Sequence, residues 1–207
     1  MKKTKLLTTL GAVALIGAIG VGSTFAYLSA TTGPVTNTFE IGNVSFDSDH
    51  GLKESAVVRE NGTGAYVDND GTGTWTTDHN AYENLHAGEV VLKDPTVTME
   101  VGSQDAWVFA LVENDNTNKL SIQYNTEWVD VTDAYRALHT DLPATSAVYA
   151  KATKIAGGES STIFNTVTVD DSVTGTTTFN NIIIKACAVQ AAGFDSYEDA
   201  ISEVAFN

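Results

Sequence analysis

EVVLKDPTVTMEVGSQDAWVFALVEN, residues 89–114, decides the fold. After Pro95, the apolar Val97, Met99 and Val101 alternate with Thr96, Thr98 and Glu100, the period-2 pattern of a strand with one buried face. Val90 and Leu92 make a shorter strand-like run before it. Pro95 has no N–H to give to a ladder, so Asp94-Pro95 marks an edge, a bulge or a crossing between sheets. Gly102-Ser103-Gln104-Asp105 then turns the chain into AWVFALVEN, which is apolar at successive positions. A strand apolar on both faces belongs in the interior of a sheet.

Downstream, the polar loop Asn114 to Asn118 leads to LSIQYN, a strand with Leu120, Ile122 and Tyr124 on one face. EWVDVTDAYRAL, residues 127–138, reads as a strand followed by a short helix. SAVYAKATKIA, residues 146–156, is expected to pair with STIFNTVTV, residues 161–169, through Gly157-Gly158-Glu159. NIIIKACAVQAA gives a last strand, and a short helix follows with Asp195 or Ser196 as its cap and Glu198 or Asp199 three residues on. Upstream, Phe39, Ile41, Val44 and Phe46 suggest a strand bulged at Gly42-Asn43. DSDHGLKE, residues 47–54, is turn-like, and Ala56 to Val58 is a short apolar segment. Asn61 to Gly73, a Gly-, Asn- and Asp-rich stretch interrupted by Ala65-Tyr66-Val67, reads as a hairpin with a loose tip, and Asp78 to Leu85 as a helical turn or irregular loop. Many short strands, glycine-rich turns and little helix predict an all-β antiparallel sandwich of jelly-roll type with a few short helices.

The N-terminus carries a different signal. Lys2, Lys3 and Lys5 precede an apolar run from Leu10 to Val21, the pattern of a secretory signal peptide. That run is too short and glycine-rich for a spanning helix, which needs about 20 apolar residues. Thr24-Phe25-Ala26 puts small residues one and three positions before a cut between Ala26 and Tyr27. The expected organisation is therefore a signal peptide over 1–26, an N-terminal segment over 27–44 leading into the first strand, and a sandwich domain over 45–207. Of 11 basic and 26 acidic residues, the signal takes three basic ones, so the mature chain has a formal charge of −18. Such a surface argues against nucleic acid or anionic lipid as partners. Cys187 is the single cysteine, which excludes an intrachain disulfide, and its neighbours predict a packed side chain rather than a reactive thiol. ISEVAFN, at the C-terminus, has no apolar tail or cell-wall sorting motif.

Three blocks resemble a known family: Gly17 to Ser29 with Val35 to Val44, then LHAGEVVLKDPTVTMEVGSQDAWVFALVEN over 85–114, then AVQAAGFDSYEDA over 188–200. In that order they are similar to the secreted Gram-positive proteins that include the biofilm fibre protein TasA and camelysin. The resemblance implies processing by an ER-type signal peptidase and secretion to the extracellular matrix or cell surface. It also implies two functions: a fibre subunit linked by strand complementation, or a camelysin-like metallopeptidase.

Chemistry-bearing patterns are sparse. HExxH, the zinc motif with two histidines on one helical face, is absent. His79 and His86 are close enough to converge across a loop, with Glu83 or Glu89 as third ligand. Asp68-Asn69-Asp70-Gly71 offers oxygen ligands for calcium, but His79 stands where an EF-hand requires its bidentate Glu. Asp47 and Asp49 form a second acidic pair, and such pairs ordinarily cap turns. No G-x-S-x-G turn and no phosphate-cradling P-loop occurs, and Ser160-Ser161 reads as a polar hairpin tip. No cofactor is expected beyond these calcium or zinc candidates. Trp75 and Trp128 are the candidates for a carbohydrate platform, with Trp107 assigned to core packing.

Residues 27–39, YLSATTGPVTNTF, are polar, β-branched and poor in apolar area. Such a segment can add to an unpaired sheet edge of a neighbour, where backbone hydrogen bonds give affinity and alternate side chains give register. Head-to-tail donation that does not close generates a filament. The expected partner is a second copy of the chain or a related fibre subunit. Tyr27 would lead the donor strand and Leu28 and Val35 would insert, with Phe39 and Ile41 left to the domain's own first strand.

Overall fold

The computed structural model describes residues 43–61, 64–69, 73–77, 79–116 and 118–206. The expected signal peptide, the cleavage site at Ala26 and Tyr27, the inserting residues Leu28 and Val35, and Asp70 lie outside them. The described residues form antiparallel sheets with two short helices, the all-β sandwich expected from the strand pattern.

AWVFALVEN is the central strand. Here β7 (Ala106–Asn114) lies between β13 (Ile182–Gln190) and β10 (Ser146–Lys151), and β9 (Trp128–Asp130) completes the sheet in the order β13-β7-β10-β9. Successive side chains on a strand point to opposite faces, so two apolar faces require two covers. Ala106, Val108, Ala110 and Val112 face the second sheet and share a core with Val97, Met99, Ile163 and Phe164. Trp107, Phe109 and Leu111 face away from it and are covered by α1 (Thr132–Leu138), α2 (Tyr197–Ala200) and the 3-10 turn Ile201–Glu203 through Tyr135, Ala200, Ile201 and Val204. Ser196 caps α2 by accepting from the Asp199 N–H at 3.3 Å, as the spacing predicted.

Asp94-Pro95 is a crossing point. Before it, β5 (Val90–Leu92) pairs with β12 (Phe164–Val169), and β12 also pairs with β8 (Leu120–Tyr124). After it, β6 (Thr96–Thr98) pairs with β11 (Ser160–Thr162) on one side and β1 (Leu52–Ser55) on the other. The partner chain breaks at the same level: the Ile163 N–H, between β11 and β12, donates to the Pro95 carbonyl at 2.8 Å. Two broken strands thus run side by side through one bend. With each broken pair counted as one strand, β13-β7-β10 in one sheet and β5/β6-β11/β12-β8 in the other are jelly-roll neighbours.

Two local expectations are corrected. The SAVYAK strand does not pair with STIFNTVTV, because β10 joins β7 and β9 in one sheet while β11 and β12 lie in the other. Gly157-Gly158 is a crossover rather than a hairpin tip. Ile155 exchanges backbone hydrogen bonds with Ala106 at 2.9 and 3.0 Å, which pulls this connection against the turn before β7. A Cβ on Gly157 would stand 2.4 Å from the Ser103 carbonyl oxygen, so only glycine permits that approach. The second correction concerns DSDHGLKE, whose last residues enter β1. A bulge falls at 47–51, where Phe46 bridges Met99, Leu52 pairs with Val97, and five residues loop out between them, while Phe39, Ile41 and Gly42 of the expected first strand lie outside the described residues. Asp47 closes that loop by accepting from the N–H groups of Asp49 and His50 at 3.1 and 2.7 Å.

Candidate functional site

The candidate site is the free edge of β13 with the cleft beneath it. Ala191 donates to the Asp105 carbonyl at 2.9 Å, whereas Ala106 bonds on the other side of its strand, to Ile155. Backbone bonds in an antiparallel pair alternate between residues, and the register sets Ile183, Lys185, Cys187 and Val189 opposite Glu113, Leu111, Phe109 and Trp107. The odd-numbered residues of β13 therefore bond to β7. The N–H and C=O groups of Ile182, Ile184, Ala186, Ala188 and Gln190 point the other way, where β13 has no strand partner among the described residues. Side chains follow the same parity. Ile182, Ile184, Ala186 and Ala188 pack toward the inter-sheet core, and Cys187 and Val189 toward the helix-covered one.

A cleft of about 620 Å³ separates this edge from β1 and β5. Leu52, Tyr82, Leu85, Val91 and Val167 give it an apolar lining, and Phe179 to Ile184 form one wall. The opposite wall is fixed by polar bonds: Asn80 bridges the Val57 N–H and the Ser55 carbonyl at 3.0 and 2.8 Å, and the Tyr82 hydroxyl donates to the Leu92 carbonyl at 2.7 Å. Burial pushes the Tyr82 phenol up, so it stays a donor. Lys93 and Glu54 meet there at 2.6 Å with 12% of each side chain exposed, so their charges cancel locally. Such a groove suits an uncharged, partly apolar extended segment.

Beside it, β2 (Val57–Arg59) and β3 (Tyr66–Asp68) form a hairpin that starts before the expected Asn61, with Tyr66 and Val67 in its second strand, and it is held down by Arg59. Its guanidinium lies 4.5 Å from the Tyr66 ring centre, donates to the Gly64 carbonyl, and reaches the Glu83 and Asn84 carbonyls at 2.7 and 3.2 Å. Glu89 Oε1 stands 3.1 Å away, within ion-pair distance but without hydrogen-bond alignment. Partial burial alone would raise the Glu89 carboxyl, but the His86 backbone N–H and Arg59 hold it below the ordinary value. A carboxyl depressed in the folded state contributes stability above its unfolded value, about 4.3, and loses it as pH falls through the folded value. Glu89→Gln is therefore less stable than the parent near neutral pH, and the gap closes below about pH 4. Urea midpoints on either side of that pH check this, and a gap of constant size contradicts it.

Of the sequence-derived metal candidates, His86 and Glu89 come together. His79 lines the cleft, His86 lies 3.3 Å from Glu89 Oε2, and Glu83 is exposed. Among the described residues, no group of three His, Cys, Asp or Glu side chains could hold a metal ion. Asp68 accepts from the Gly73 N–H at 3.1 Å, which closes its turn. Trp128 is 4% exposed and donates to the Thr162 carbonyl at 3.0 Å, and Trp107 is equally enclosed at 6%. Trp75 is 39% exposed with Lys53 Nζ 4.4 Å from its ring centre. Cys187 packs against the helix-covered core, and burial pushes its thiol up, the opposite of an activated nucleophile.

Sequence reasoning did not single out the β13 edge. Its signal was present in NIIIKACAVQAA, a long β-branched and small-residue run with a single lysine in its middle. Periodicity reports faces and not which strand lies outermost.

No protein-family model, no curated protein and no solved structure matches this chain. Among the described residues, no helix is long and apolar enough to cross a membrane. What fold and site define together is an antiparallel sandwich in which the long strand β13 has an open edge, among the described residues, over an apolar cleft.

Proposed function

We propose that this protein is a secreted matrix or fibre subunit of biofilm type that assembles by strand donation once cleavage between Ala26 and Tyr27 frees its N-terminus. The observation that carries the reading is the open edge of β13. Five residues of this nine-residue strand offer outward backbone groups above a cleft in which Lys93 and Glu54 are paired and Lys53 lies over the Trp75 ring. Residues 27–36 match that chemistry, because they carry no charged side chain. Leu28 and Val35 supply the inserting groups. They are seven residues apart, a spacing that puts side chains on opposite faces of a regular strand, so the Gly33-Pro34 step must shift the register between them.

The partner is a second copy or a related subunit, and an ER-type signal peptidase does the processing. A mature charge of −18 opposes close approach of copies, so added salt favours growth. The metallopeptidase alternative gains no support from the placement of His79, His86 and Glu83. Electron microscopy and light scattering of chains starting at Tyr27 and at residue 37 test the proposal. Filaments are expected from the first only, with the second folded and monomeric. If the first stays monomeric across salt, calcium and pH, self-assembly is not intrinsic to this chain.

A further inference from the structure

The turn from β8 to β9 and the neighbouring part of β12 enclose a second groove of about 470 Å³, which shares no lining residue with the cleft under β13. It exists because β12 is irregular. The register between β12 and β8 shifts between Phe164 and Val167, so Asn165 and Thr166 together stand opposite the single residue Gln123, and the Asn165 side chain reaches the turn at Asn125. Bulges of this kind re-aim side chains and recur beside functional sites.

The amides are held in place. Asn165 Nδ2 donates to Asn125 Oδ1 at 2.7 Å, and Asn125 Nδ2 donates to the Thr162 carbonyl at 2.8 Å. A side-chain amide has two N–H groups and a two-lone-pair oxygen. The relay therefore leaves the Asn165 oxygen and one N–H on each side chain for another partner. Gln123 lies exposed on the same groove and adds a third amide. Tyr124 stiffens the strand beneath them: its ring lies on the opposite face of β8 from Gln123, in the inter-sheet core, where it stacks on Tyr149 with centres 3.7 Å apart and planes at 21° and meets Phe164 edge-on. Glu127 is the groove's one carboxylate, and Lys151 holds its Oε2 at 2.5 Å.

These features select a ligand class. Donors and acceptors are interleaved at short spacing, and the single charge is neutralised by its own lysine. We propose that this groove binds a neutral oligosaccharide, whose hydroxyls both donate and accept. The groove binds without cleaving, since glycoside hydrolysis ordinarily takes two carboxylates flanking the bond and one is present. Its lining comes from Gln123, Asn125 and Asn165, and not from Trp75 or Trp128, the platform the sequence suggested.

The test uses the mature chain, isotopically labelled, titrated separately with β-1,4-linked N-acetylglucosamine tetrasaccharide, cellotetraose and maltotetraose. At least one sugar is expected to cause saturable amide shifts confined to residues 123–127 and 165–166. Asn165→Ala and Gln123→Ala, both at exposed positions, are expected to weaken that binding about tenfold each while leaving the remaining spectrum in place. The absence of saturable shifts with all three sugars overturns the proposal, as do shifts elsewhere or affinities unchanged in both variants.

Discussion

Replacing Phe109 by alanine lowers the free energy of unfolding by about 3–5 kcal/mol, a large part of the roughly 5–15 kcal/mol that holds a domain folded. Phe109 is fully buried near the middle of β7, with its side chain in the core that the helices cover. The cost exceeds the transfer of a phenyl ring because the cavity cannot close. β7 is held by nine register pairs to β13 and five to β10, so its backbone cannot move into the void. The contrast is Val101→Ala: Val101 is 85% exposed at the turn before β7, and its loss is worth about 0.5 kcal/mol or less. Urea unfolding of both variants checks the pair. A Phe109→Ala cost near 1 kcal/mol would mean that the helical layer is not tightly packed on the sheet.

Ala186→Pro abolishes filament growth while leaving the domain folded. The Ala186 N–H points away from β7, so its removal takes nothing from the β13–β7 ladder. Proline is tolerated at such outward positions of edge strands. A donor strand would lose one backbone bond and meet the ring in its path. Cys187→Pro is the matched control, because the Cys187 N–H belongs to the ladder with β7, and that variant is expected to unfold the edge. Circular dichroism and light scattering separate the two. A folded Ala186→Pro variant that polymerises at the parental rate would mean that β13 is not the acceptor.

Much of this fold was legible in the sequence where one residue type forces one geometry. Pro95 has no N–H for a ladder, and it marks the bend where the strand passes from pairing with β12 to pairing with β11. The double-faced apolarity of AWVFALVEN placed it inside a sheet, although the cover on its outer face came from the distant Tyr135 and the last 11 residues of the chain. The pairing of SAVYAK was not legible, because adjacency in sequence favours a hairpin while the Ile155 bridge and the Gly157 approach to Ser103 favour a crossover. Contacts of that kind join residues about fifty positions apart and leave no periodic trace. The candidate site was hidden for the same reason: its walls come from residues 52–54, several residues between 76 and 95, Leu120, Val167 and residues 179–184. Asn125 and Asn165 look like ordinary polar residues of two separate strands until the β12 bulge brings their side-chain amides to 2.7 Å.

Amide hydrogen exchange of the mature chain, read residue by residue along β13 before and after assembly, tests the central claim most directly. Open edges exchange faster than paired ones, so in the monomer the amides of Ile184, Ala186 and Ala188 are expected to exchange quickly, and those of Ile183, Lys185 and Cys187 slowly. Assembly is predicted to slow the first three to the rate of the second. A polymer in which Ile184, Ala186 and Ala188 exchange as they do in the monomer would contradict strand donation to β13, whatever else held the subunits together.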